Sequence, residues 1–125
     1  MLSNFDLETN VFNPVDIAVE FIPDGTGDYD QVLRMRGGMP IPGGGGFIAP
    51  AYAPFESTYD LNNHNDIVFA AAVNLPDPPA TAAILVNGAI VRQSGDINSF
   101  ADGFLTIDSG QAAINDSLEY AYFGF

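Results

Sequence analysis

Residues 82–93 read AAILVNGAIVRQ, two apolar runs joined by Asn87-Gly88. Asn and Gly both tolerate the positive φ that a two-residue type I′ turn demands, and that turn matches the twist of paired strands. The segment is therefore expected to be a β-hairpin. Asn87 and Gly88 are its structural turn residues, and Ala82–Val86 and Ala89–Gln93 its strands.

Outward from this hairpin the same pattern recurs. VDIAVEFI (15–22), QVLRMR (31–36), DIVFAAAV (66–73), GFLTID (103–108) and LEYAYFGF (118–125) are apolar or alternating runs bounded by Gly, Pro, Asn or Asp, the pattern of short strands. The best helix candidate is VFAAAVNL (68–75). It is short, opens on β-formers and stops at Pro76, so a buried strand is the better reading. These signals predict an all-β fold of antiparallel sheets, propeller-blade or sandwich-like.

Two segments match after their arginine strands. VLRMRGG is followed by a loop, Gly46-Phe47, a spacer, Leu61-Asn62 and an apolar strand; IVRQSGD by a loop, Gly103-Phe104, a spacer, Ile114-Asn115 and the apolar run LEYAYFGF. Arg34 then aligns with Arg92 and Gly37 with Gly95. A weaker Asn-then-strand motif begins at Asn13. The period is about 50 residues, within the range of propellers and solenoids. One domain over 1–125 is expected, with repeats at about 13–61 and 62–114 and a third repeat's strand at 115–125.

The run LNNHNDIVFAAAV…AAILVNGAIVRQSGDINSFADGF…AINDSLEYAYFG, Leu61 to Gly124, resembles the tandem β-repeats of secreted bacterial choice-of-anchor proteins. The resemblance implies an extracellular, blade-like repeat without catalysis, commonly present in many copies. This chain departs from that pattern in carrying about two periods.

Composition narrows the function. Sixteen acids stand against three bases, Arg34, Arg36 and Arg92, for a formal charge of −13. That field repels phosphate backbones, so no nucleic-acid partner is expected. Nor does any run of about 18 apolar residues predict a membrane-inserted helix. The opening MLSNFDLETNVF has neither the basic nor the apolar region of a secretion signal, so if the protein is exported this chain is expected to be its mature part or a piece of something larger. Cysteine is absent, which excludes disulfides and thiol chemistry.

No catalytic constellation stands out, and an enzyme is not expected. His64 is the sole histidine and sits in the polar NNHND; no G-x-S-x-G elbow is present; RGGMPIPGGGG (36–46) lacks the lysine and helix of a phosphate loop. IPDGTGDYDQ (22–31) places Asp24, Thr26, Asp28 and Asp30 at alternate positions, oxygen donors that make calcium a candidate ligand. Tyr29 and the lack of a twelfth-position glutamate exclude an EF-hand. The alternative is an enlarged hairpin tip whose acids are solvated. No cofactor is required on either reading.

The final run carries Tyr120 and Tyr122 on one face and Phe123 and Phe125 on the other. Such a strand is an aggregation hazard unless paired. The leading expectation is a structural protein that assembles with itself through strand contacts into an extracellular or cell-surface fibre, coat or ring. The alternative is a propeller-like binding module or a fragment of a larger secreted repeat protein.

Overall fold

The computed structural model describes residues 2–6, 11–15, 17–43, 45–49, 59–100 and 103–125. Among them are eleven strands and no helix: β1 (Leu2–Asp6), β2 (Val11–Val15), β3 (Ile17–Pro23), β4 (Tyr29–Arg36), β5 (Phe47–Ile48), β6 (Tyr59–Leu61), β7 (Ile67–Pro76), β8 (Pro79–Val86), β9 (Ala89–Gln93), β10 (Ile107–Ile114) and β11 (Tyr120–Gly124). Every pairing is antiparallel. The fold is all-β and sandwich-like.

The centre is β7. Its run IVFAAAV is buried on both faces except at Ala72, as the continuous apolar stretch requires. On one edge β7 pairs with β8, which pairs with β9; on the other it pairs with β5 and β6 at different heights. Odd-numbered residues Ile67, Phe69, Ala71, Val73 and Leu75 face one core with Ala83 and Leu85 of β8, Met35 of β4 and Ile48 of β5. Even-numbered Val68 and Ala70, with Ile84, face a second core closed by Leu105, Ile107 and Ile114. The period-2 alternation of a strand thus divides one segment between two cores. The base of hairpin β3–β4 covers the first, and hairpin β10–β11 the second.

The Asn87-Gly88 turn forms as expected, with φ of 51° and 85° and Val86 opposite Ala89. Several strand boundaries differ from the sequence reading, β7 running to Pro76 rather than Val73 and β8 opening at Pro79 rather than Ala82 among them. The expected 103–108 strand begins only at Ile107 and continues to Ile114, because Gly103–Thr106 are held by a single bridge, Ile97 to Phe104, and by loop hydrogen bonds. The 118–125 strand begins at Tyr120, since residues up to Glu119 complete a turn. Asn13 lies within β2 opposite Asn4 and opens no turn.

The two similar segments follow the same path from β4 and from β9. Gly38 N–H donates to the Ile48 carbonyl as Gly95 N–H does to Leu105; Ile41 pairs with Gly46 as Asn98 does with Gly103; the bridge Pro40–Phe47 matches Ile97–Phe104. A bulge falls at the same place in each hairpin, skipping Arg34 in β4 and Val91 in β9. At the arginines the structural match therefore runs one residue off the sequence alignment, Arg34 corresponding to Val91 and Gly38 to Gly95, whereas Gly46-Phe47 corresponds to Gly103-Phe104 as aligned. Gly95 is the left-handed member of its Ser94-Gly95 turn, and Gly38, not Gly37, is its counterpart.

Candidate functional site

Three hairpins close with the same turn. In Asp24–Asp28, Asn62–Asp66 and Asn115–Glu119, the first residue's N–H donates to the last residue's carbonyl. Its own side-chain Oδ1 accepts N–H groups from the third and fifth residues, at 2.7 and 3.3 Å, 2.9 and 2.9 Å, and 2.9 and 2.9 Å respectively. The fourth residue is left-handed in each: Gly27 at 95°, Asn65 at 62° and Leu118 at 62°. Short Asx side chains mimic a backbone turn and so favour the first position. A usable sequence signal existed in the shared form PDGTGDY, LNNHNDI and INDSLEY.

This geometry shows where the calcium-candidate residues lie. Asp24 Oδ1 already accepts from Thr26 N–H, the Thr26 hydroxyl and Asp28 N–H. Asp28 accepts from Tyr29 N–H, and Asp30 stands in β4 opposite Ile22. Among the described residues no group of three or more His, Cys, Asp or Glu side chains is placed to hold a metal ion.

The Asn62 and Asn115 turns also stack on each other. Asn62 Nδ2 donates to the Asn115 carbonyl at 3.0 Å, and Asn63 N–H and Nδ2 donate to the Asp116 carboxylate at 2.8 and 2.7 Å, each across 53 residues of chain. Asp60 accepts the Ile114 N–H at 3.0 Å. His64 is exposed in the first turn and donates its backbone N–H to Asn62. Ser117 donates its backbone N–H to Asn115 Oδ1, and the Asn115 Nδ2 donates to Glu119 within the same loop.

The carboxylates in these turns are held below the ordinary value: Asp24 by the Thr26 hydroxyl, Asp66 by the Asn62 amide, and Asp116 by the Asn63 N–H. Because the folded pKa values are depressed, the stability they contribute is complete above the unfolded value and lost as pH falls through the folded values. The melting temperature is expected to be level above about pH 5 and to fall below about pH 4. Asp24→Asn retains the turn acceptor and should shallow that fall; an unchanged acid limb would exclude Asp24 as a contributor.

The strand edges are less well satisfied than the turns. Hairpins β3–β4 and β10–β11 each pair only internally among the described residues. Residues 21–33 are exposed throughout, with Phe21, Tyr29 and Leu33 on one face and Ile22 and Val32 on the other. On β11, Tyr120 and Tyr122 stack at 6.4 Å and pack half-buried against the second core, while Phe123 and Phe125 are 64% and 75% exposed. A groove of about 470 Å³ beside them is lined by Tyr59, Asp60, Ala113, Ala121 and Phe123. No family model, curated protein or solved structure matches the chain.

Proposed function

We propose that this chain is a non-enzymatic structural protein that assembles with copies of itself through strand edges, in an extracellular or cell-surface fibre, coat or ring. The observation that carries the reading is the pair of hairpins whose outer edges have no strand partner among the described residues and whose exposed side chains include Phe21, Tyr29, Phe123 and Phe125. Exposed apolar edges of that kind are templates for pairing. The stacked Asn62 and Asn115 turns favour a second reading, a unit of a larger secreted repeat protein of the choice-of-anchor type, because arrays place equivalent groups side by side.

Calcium has no necessary part in the first reading, since the Asp24 turn closes with its own donors. The acids instead oppose association by mutual repulsion. Sedimentation of the purified chain is expected to show association that strengthens as salt rises from about 0.01 to 0.15 M, where the screening length shrinks from about 30 to 8 Å. Negative-stain images at the higher salt are expected to show fibres or rings. Calcium at matched ionic strength should add nothing, and EDTA should leave the melting temperature unchanged. A folded monomer at high concentration in every condition defeats the assembly reading, and a melting temperature lowered by EDTA establishes the calcium site.

A further inference from the structure

We infer that the free edge of β11 pairs antiparallel with the free edge of β3 in a second copy of this chain, in the register that β7 and β8 use within one copy. The inference rests on the self-assembly reading above and specifies its interface.

Two internal equivalences lead to it. The shared turn makes β6–β7 the counterpart of β10–β11: Leu61 opposes Ile67 as Ile114 opposes Tyr120. The shared bulge and following loop make β8–β9 the counterpart of β3–β4. In the first set β7 has β8 on its second edge, whereas no described strand pairs with that edge of β11; in the second, β8 has β7 on its outer edge, whereas no described strand pairs with that edge of β3. Each vacant edge corresponds to one half of a pairing the chain already makes. The chain's own earlier strands do not fill the β3 edge. One residue separates β2 from β3, fewer than the two needed for a hairpin, and β1 is paired to β2.

The register follows residue by residue. Phe69–Leu85, Ala70–Ile84 and Ala71–Ala83 become Tyr122–Val19, Phe123–Ala18 and Gly124–Ile17 between copies. Ladder alternation turns the backbone groups of Tyr122 and Gly124 away from β10, and those of Ile17 and Val19 away from β4, so the outward-facing groups coincide. Side-chain volume is exchanged across the pairs: a small residue opposite Ile84 becomes Phe123 opposite the small Ala18, which covers the exposed Phe123 ring without overfilling the layer. Leu118 fits the same scheme. It holds a left-handed backbone where the other two turns use Gly27 and Asn65, and its side chain is 52% exposed. Such strain persists where a side chain has a use, and here Leu118 meets the Phe21–Ile22 end of the neighbouring β3. The contact is head-to-tail, so it propagates into an unbranched fibre or closes as a ring.

Cysteine cross-linking tests the register, because the chain has no native cysteine. A mixture of Ala18→Cys and Phe123→Cys chains, each checked for a cooperative melt, is expected to give a disulfide-linked heterodimer on mild oxidation. Val19→Cys mixed with Phe123→Cys puts the thiols on opposite faces and should link at least tenfold less. Assembly by sedimentation without the 18–123 link overturns this register and leaves the self-assembly reading in place. Folded, monomeric, unlinked chains overturn both.

Discussion

Phe69→Ala is expected to destabilise the fold by about 3–5 kcal/mol, the range for truncating a buried aromatic core residue. Phe69 is fully buried at the middle of β7, opposite Leu85, with its ring 6.1 Å from that of Tyr59 at a 44° tilt. It has no route to collapse the cavity, because β7 is held on both edges and packed on both faces. Phe69→Leu retains most of the volume and should cost less than about 1.5 kcal/mol. Denaturant unfolding at a salt concentration that keeps the chain monomeric distinguishes the two. A loss under about 1 kcal/mol for Phe69→Ala would mean that the first core is not packed around β7.

The difference between what was and was not legible in the sequence follows from the range of each signal. Asn87-Gly88 was readable because the turn's φ demand is local and two residues satisfy it. The strand VFAAAV was readable because a continuous apolar run that ends at proline has few other uses. What failed was correspondence across gaps. The arginines drew the alignment one residue out of register, since a bulge is a backbone feature that leaves no mark at Arg34 or Val91. The matched bulges place the acidic tip where Asn87-Gly88 stands in the other hairpin. Its bonding pattern is nevertheless that of the Asn62 and Asn115 turns. Asp and Asn serve the same acceptor role there, so identity-based comparison passed over the similarity. The edges left unpaired among the described residues were legible only as aromatic residues in a terminal strand; which edge faces outward depends on long-range pairing.

Asn87→Ala is expected to cost about 2–4 kcal/mol, beyond what a surface turn residue normally carries. Asn87 Oδ1 accepts the backbone N–H of buried Ile67 at 3.0 Å and an Arg34 N–H at 3.1 Å, and its Nδ2 donates to Asp66 at 2.8 Å. Arg34 in turn pairs with Glu20. One amide thus ties the β8–β9 turn to the start of β7, to the Asn62 turn through Asp66, and to hairpin β3–β4. Removing it leaves the Ile67 donor unsatisfied, a loss of about 1–3 kcal/mol, and alanine adds about 1 kcal/mol for the left-handed backbone at 51°. Asn87→Gly removes the second penalty and keeps the first, so it should fall about 1 kcal/mol short of alanine. Were glycine fully neutral, Asn87 would be only a turn residue and the side-chain tether energetically idle. A measurable loss with glycine separates the tether from the turn, and hydrogen exchange at Ile67 N–H should then accelerate more than at Ala71 N–H, deeper in the same strand.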